Sequence, residues 1–385
     1  MRTARLLALL VALTVLLALP ASATDGVSIS PSATEVTYGD PVTLTGVVDP
    51  AVENETVQLL DADTSALLGT DQMDAGGAYE ISIVPDANVS VKAVAGLQES
   101  APVSIGVKPA FTVSLSSVRL FDRARITGTI QPSHDGPITV RLLRSGSPVA
   151  EVEAAMAGGT FQARLPIGRP GTYRAEISFP GDEDHLAATK KSGEASTRLP
   201  RLRSGSRGVY VLLLEGRLRA LRYKTPRPDR RFDHRTGDAV LAFRKVQGMK
   251  RARTVTKRTW RKLASPRKPR ARSSSPAVHF EVDQTKQLLY LVRKGKIRRI
   301  VHASTGGPGV GTTYDGAWRV HRKLAGYSPG RLYYPSYFHG NRAVHGWPEV
   351  PPTAASHGCV RVPMWTAQWL YGKAPMGRVV KIYHS

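Results

Sequence analysis

One cysteine and ten histidines supply the thiol and imidazole chemistry of this 385-residue chain. The cysteine stands in Ser356-His357-Gly358-Cys359-Val360-Arg361. A second His-Gly pair lies upstream in Ala343-Val344-His345-Gly346-Trp347, with nine residues from Trp347 to Ser356. Thiol catalysis needs a thiolate, a base within hydrogen-bond reach and donors for a tetrahedral oxyanion. Cys359 has one imidazole beside it and another upstream, and it leads into a β-like Val-Arg-Val run. Gly346 and Gly358 would let backbone approach a substrate with no Cβ in the way. The competing reading of a lone cysteine is an inert buried thiol. A single cysteine also excludes an intramolecular disulfide framework and a Cys-rich zinc module. His279, His302, His321, His339 and His384 show no ligand spacing, so no metal or other cofactor is expected.

The elements that must hold these residues read as short strands. Val278 to Val282, Leu288 to Val292 and Ile297 to His302 read as strands joined by tight turns, one of them at Lys294-Gly295-Lys296. After the cysteine, Pro363 and Gly372 bracket a helix from Met364 to Tyr371, and Trp365 and Trp369 are expected in its core face. Trp347, Tyr333, Tyr334, Tyr337 and Phe338 are candidates for the wall of a substrate site. Residues 264–276 hold three prolines, four serines and four positive charges. That composition buries no apolar surface and predicts an extended, mobile linker.

Upstream lies a basic segment, 199–263, with helical spacing. Val209, Leu212, Leu213, Leu218 and Leu221 form one stripe, and Ala239, Val240, Phe243 and Val246 another. The first 180 or so residues repeat. Val36 to Pro50 aligns with Val118 to Pro132 at an offset of about 82 residues. Alternating runs follow in each copy, such as Thr56–Leu60 and Ile138–Leu142, and Gly76-Gly77 and Gly158-Gly159 each precede another strand. This pattern predicts two antiparallel β-sandwiches.

The formal charge of +24 is divided unevenly. Residues 24–108 carry 2 basic and 13 acidic side chains, 109–200 carry 11 and 9, and 201–385 carry 39 and 8. The C-terminal half therefore governs electrostatic partner binding, and its partner is polyanionic. Arg2 and Arg5, the apolar run Leu6 to Leu19 and Ala21-Ser22-Ala23 read as a secretory leader cleaved after about Ala23. The run is too short to span a bilayer comfortably. A secreted protein without a membrane anchor after cleavage, and monomeric, is expected. A basic helical bundle could bind nucleic acid, but a secreted protein has no physiological nucleic acid partner. A membrane surface or wall polymer remains as the anionic counterpart, and non-specific DNA binding at low salt is expected in vitro.

Three stretches resemble known families. The N-terminal repeats resemble bacterial immunoglobulin-like modules in pattern. Leu202 to Gly208, Leu214-Glu215, Phe232-Asp233, Ala242-Phe243, Gly248-Met249 and Thr259-Trp260 resemble the three-helix peptidoglycan-binding domain. That family usually has Gln where Glu215 and Arg244 stand and Gly where Arg222 stands. The upstream His with Ser356-His357-Gly358-Cys359 resembles the L,D-transpeptidase catalytic domain, a mainly-β YkuD-like fold. Ser304-Thr305-Gly306 and Thr313-x-x-Gly316 match further motifs of that family, with Tyr314 replacing a proline. The segment before Ser356 is shorter than in many members, which suggests a trimmed loop over the site.

These resemblances imply five parts after the leader: immunoglobulin-like modules at 24–108 and 109–198, a helical wall-binding module at 199–263, the linker at 264–276, and the catalytic domain at 277–385. They imply Cys359 as nucleophile and His345 as base, oriented by the Gly346 carbonyl. His357, Gly358 and Cys359 would give oxyanion N–H groups, and Ser356 would fix their turn. Arg361 would hold the loop or a substrate carboxylate, with Trp347 and Tyr337 against the stem peptide. The reaction implied is attack on a tetrapeptide stem of peptidoglycan, release of D-alanine, a thioester, and a 3→3 cross-link; carbapenems acylate this family. A carboxypeptidase using the same cysteine, or a non-catalytic wall-binding protein, are the alternatives.

Overall fold

The structure, a computed structural model, describes residues 26–385; the leader expected at residues 1–23 lies outside the described residues. The described residues are mainly β, with four helices. In strand Val42–Asp49 the apolar Val42, Leu44 and Val48 are buried, while the threonines between them face outward. This strand pairs with Ala78–Ile83. A second sheet, ordered Val103–Lys108, Val89–Ala95, Thr56–Asp61, Leu67–Gln72, shares the same apolar core. In the next copy Arg123–Gln131 takes the place of Val42–Asp49. There the long strand Ser147–Ala157 pairs with Gly136–Arg144 and, at its far end, with Thr160–Pro166. That crossing merges both faces into one eight-stranded sheet. This β-rich region fits immunoglobulin-like units.

Three helices follow: α1 (Val209–Ala220), α2 (His234–Val246) and α3 (Lys257–Ala264). Asp233 caps α2 by accepting from the N–H groups of Arg235 and Thr236, and Thr256 with Thr259 forms a capping box on α3. The buried stripe of α1 is Val211, Leu214 and Leu218, whereas Leu212 and Leu213, expected in it, are only half-buried. Glu215 fills the same inner face. Its carboxylate accepts from Thr236 Oγ1 at 2.6 Å and from the Asp229 N–H at 3.1 Å, and burial pushes its pKa up. Arg244 is likewise internal, donating to Lys250 O, Thr254 O and Thr259 Oγ1. Both departures from glutamine thus tie the helices to each other. Arg222 has φ +73°, the left-handed region that explains a usual glycine there.

The catalytic part holds two sheets around one core. The first runs Lys296–His302, Leu288–Arg293, Val278–Asp283, Val379–Tyr383, Gly316–Arg319. The second runs Arg322–Lys323, Tyr333–His339, Arg342–Trp347, Val360–Pro363, and α4 (Met364–Lys373) follows directly from it. Pro363 caps α4 as expected, but the helix continues through Gly372 to Lys373. Trp365 and Trp369 are half-buried; Trp369 packs against the core as expected, whereas Trp365 turns toward α2. The indole N–H of Trp365 donates to Asp238 of α2 at 3.0 Å, and the Lys224 ammonium lies 4.7 Å from the Trp369 ring.

The helices do not stand apart from this domain. Leu288, Tyr290, Val292 and Ile300 of the first sheet share one apolar core with α1–α3. Lys224 N–H donates to Ile300 O, and Ile300 N–H donates to Arg222 O, so the chain leaving α1 extends the sheet edge. Lys245 of α2 is buried with Nζ on Gln287 O (2.8 Å), Ala303 O (3.1 Å) and His302 Nδ1 (2.8 Å). His302 donates its other N–H to Val350 O, so all three partners are acceptors and Nζ must supply three hydrogens. Burial works against the charge that these acceptors favour and pushes the Lys245 pKa down to about 6.

Residues 264–276 form neither helix nor strand, yet they are not loose. The buried Glu281 carboxylate accepts the N–H groups of Arg272 and Ser273, Arg267 N–H donates to Gln247, and Lys381 Nζ donates to Ser273 Oγ. A carboxylate inside the sheet must find donors, and this segment supplies them; the mobility expected from composition is overruled.

Candidate active site

Alternation along Arg342–Trp347 sets the site. Val344 points into the core, so Ala343, His345 and Trp347 share the opposite face. Val360–Pro363 runs parallel alongside, pairing Val344 with Val360 and His345 with Arg361. Cys359 therefore enters this strand beside Ala343, whose N–H points to Sγ at 3.4 Å; Asn341 O lies 3.9 Å from Sγ. His345 is buried, and its Nδ1 is 2.9 Å from the Gly346 carbonyl oxygen. A carbonyl only accepts, so Nδ1 carries the hydrogen and Nε2 keeps its lone pair. Burial pushes His345 down to about 4; the Gly346 carbonyl opposes this and Arg361 adds to it. Burial pushes the Cys359 thiol up, partly offset by the Ala343 N–H and by Arg361 and Arg342. The free protein holds a neutral thiol and a neutral imidazole.

The turn before the cysteine is clamped at several points. Gly358 has φ +115°, and a Cβ there would lie 2.7 Å from Thr312 O and 2.8 Å from Arg342 Nε. Its carbonyl accepts from Thr313 Oγ1 at 2.8 Å, and its N–H donates to Ser356 Oγ at 3.1 Å. Ser356 Oγ in turn donates to Cys359 O. The Gly358 N–H, expected to face an oxyanion, is thus taken up inside the turn. Among the described residues, the His357 and Cys359 N–H groups are the ones left in this turn for a substrate oxygen. The His357 residue is exposed. Ser304 exchanges backbone hydrogen bonds with Arg361, and Thr305 O accepts from Ala355 and Ser356, so the Ser-Thr-Gly turn cradles the cysteine loop from below.

Gly346 is needed for packing rather than for substrate approach. A Cβ there would meet Ala367 of α4 at 2.8 Å and the Tyr333 ring at 2.9 Å. Arg361 donates to Ala355 O at 3.0 Å while its guanidinium covers the Trp347 ring at 4.7 Å. Trp347 in turn meets His345 edge-on, with centroids 5.8 Å apart. The structure thus joins Arg361, Trp347 and His345 in one stack and assigns Arg361 to the loop. Tyr337 is cross-strand from Ala343 and buried under the Arg322 guanidinium, 4.0 Å away. Arg342 was not foreseen. It donates to Thr312 O at 2.8 Å and covers the Tyr314 ring at 4.5 Å, at the edge of the cysteine turn. Its neighbours in space come from a distant loop, so no spacing announces it.

The short segment from Pro348 to Ala355 is fastened to the loop between α2 and α3 and to Ser304. Arg253 donates to Val350 O, Arg251 to Pro352 O, and Ser304 Oγ to Thr353 O.

Fold and site together define a thiol–imidazole centre on a two-sheet scaffold. Residues 277–382 match the sequence model of the L,D-transpeptidase catalytic domain, and the chain belongs to that family through this domain. It is an L,D-transpeptidase-type enzyme. Three solved structures illustrate the similarity. An L,D-transpeptidase (residues 123–326) from Xylanimonas cellulosilytica DSM 15894 is 34% identical, over 49% of this chain and 99% of its own, with a TM-score of 0.46. One from Stackebrandtia nassauensis is 24% identical, over 48% and 95%, with a TM-score of 0.32. The catalytic domain of the E. faecium enzyme, solved acylated by ertapenem, is 20% identical, over 28% and 97%, with a TM-score of 0.25. No curated protein matches the chain.

Proposed function

We propose that this protein is a secreted peptidoglycan L,D-transpeptidase that forms 3→3 cross-links through a thioester on Cys359. The observation that carries the reading is the His345 tautomer. With Nδ1–H held by the Gly346 carbonyl, Nε2 is left as a base on the strand face that meets the cysteine. Sγ attacks the carbonyl carbon of the third stem residue while its proton passes to His345 Nε2. The tetrahedral oxygen is met by the His357 and Cys359 N–H groups. The C–N bond to D-alanine then breaks, and the imidazolium protonates the departing amine. An acceptor amine attacks the thioester, gives its proton to His345, and the thiol is restored.

In this reading the two β units are immunoglobulin-like spacers. The helices are a peptidoglycan-binding-type bundle that presents the basic C-terminal half to anionic wall polymer. Incubating the protein with a disaccharide-tetrapeptide and weighing the products tests the reaction. A dimer lacking one D-alanine supports transpeptidation, whereas tripeptide alone would make the protein a carboxypeptidase. Cys359→Ala should abolish both products and covalent labelling by ertapenem; retained turnover would refute the mechanism.

A further inference from the structure

His134, Asp182 and His185 come together at the junction of the two N-terminal β units, far in sequence from the catalytic centre. His134 lies in the turn between Arg123–Gln131 and Gly136–Arg144. Asp182 and His185 lie in the loop after Thr172–Phe179. The His134 and His185 side chains are 10% and 6% exposed, and the Asp182 side chain is 41% exposed, so the cluster is sealed except on the carboxylate side. Their ring nitrogens are committed in a particular way. His134 Nδ1 is 2.7 Å from Pro132 O, and His185 Nε2 is 2.8 Å from Asp86 O, a residue of the first β unit. Carbonyl oxygens accept only, so these two nitrogens carry the hydrogens. The remaining nitrogens, His134 Nε2 and His185 Nδ1, face each other at 3.2 Å with two lone pairs and no hydrogen of their own to share.

Two bare lone pairs facing at that distance, beside a carboxylate, call for a cation between them. Asp182 Oδ2 is 3.2 Å from His134 Nε2, and Oδ1 is 3.6 Å from His185 Nδ1. Oδ1 also accepts the N–H groups of Asp184 and His185, which fixes the carboxylate and leaves Oδ2 free to ligate. Ligands about 2.0–2.1 Å from a tetrahedral ion stand about 3.3 Å from one another. Two of the three edges, His134 Nε2 to His185 Nδ1 and to Asp182 Oδ2, are 3.2 Å and match that length, and all three donor groups lie within 4.8 Å of one another. An imidazole whose outer N–H is held by a carbonyl is also how proteins orient metal-binding histidines. We propose that His134 Nε2, His185 Nδ1 and Asp182 Oδ2 bind one zinc ion or a similar borderline divalent cation, with water in the fourth position.

All three ligands belong to the second β unit, and the ion would fix His185 where it donates to Asp86 O of the first. The loop carrying Asp182 and His185 already plugs into the first unit: Asn88 N–H donates to Asp184 O, and Leu186 N–H donates to Val107 O. Leu186 also packs where a Cβ on Gly106 would stand. With both imidazoles locked by a central ion, the junction would become a stiff spacer.

Cobalt(II) uptake by the untagged full chain carrying Cys359→Ala, which removes the only thiol, tests this without reference to activity. About one equivalent retained on dialysis, with the intense visible bands of a four-coordinate ion and displacement by zinc, is expected. Asp182→Asn keeps the Oδ1 acceptor and His134→Gln removes one imidazole; each should lose the bands while the far-ultraviolet spectrum stays unchanged. Zinc should raise the unfolding midpoint by about 5 °C in the chain with both histidines and not in the variants. No retained cobalt, or equal uptake by Asp182→Asn and His134→Gln, overturns the site and leaves the pair sharing a proton instead.

Discussion

The resting state of the thiol–imidazole pair makes a quantitative prediction. His345 accepts a proton only near about pH 4, and Cys359 releases one only above the ordinary thiol value of 9.0. Both shifts raise the cost of moving the proton from Sγ to Nε2 in the free enzyme, opposed only by the attraction between the ions formed. The neutral thiol and neutral imidazole are therefore the favoured resting form. Proton transfer must accompany attack on the substrate rather than precede it. Alkylation by iodoacetamide, followed by mass spectrometry as a function of pH, reads the free thiolate directly. Its rate should keep rising beyond about pH 9, while kcat/KM should show an acid limb near about pH 4 and stay level through neutrality. His345→Gln should lower kcat/KM about 10²- to 10⁴-fold and leave alkaline alkylation unchanged. An alkylation plateau with a midpoint below about pH 7 would mean a resting ion pair and would refute the argument.

Other outcomes follow from the same contacts. Thr313→Val removes the hydroxyl that holds the Gly358 carbonyl; it should cost about 1–3 kcal/mol of stability and lower kcat more than it raises KM. As pH falls, unfolded His345 takes up a proton near 6.5 but the folded residue not until about 4, so folding stability is lost across that window. The loss should reach about 3 kcal/mol, read as a falling thermal midpoint; buried His302 acts in the same direction. Lys245→Met leaves Gln287 O, Ala303 O and His302 Nδ1 without their donor and should destabilise the joint unit by about 3 kcal/mol, seen in denaturant melts. Removing residues 199–276 to test wall binding would strip the cover from Leu288, Tyr290 and Ile300. Lys268→Ala with Arg270→Ala, both on a groove beside Arg222 and Lys296, is the better probe. It should reduce sedimentation with purified sacculi and flatten its salt dependence, and unchanged binding would remove this groove from the targeting surface.

Much of this protein is written locally. The Ser356-to-Cys359 motif, the upstream His-Gly and the alternation through Val344 and His345 depend on neighbours in the chain, and period-two patterning alone puts His345 and Ala343 on one face. The repeated strands are legible for the same reason, since Val42, Leu44 and Val48 alternate with polar residues. Three-dimensional packing decided the rest. Which N–H groups of the cysteine turn stay free depends on Ser356 Oγ reaching back to Gly358. That Gly346 serves α4 rather than the substrate depends on where Ala367 lands. The composition of residues 264–276 predicts mobility because it cannot include the buried Glu281 carboxylate waiting for their N–H groups. Arg342 beside the thiol, Lys245 under the catalytic sheet, and His134 facing His185 across 51 residues join groups distant in the chain. The sequence by itself determined the reactive groups and their strand. Only the tertiary structure decided their hydrogen bonds and burial, because both depend on atoms that long-range packing brings together.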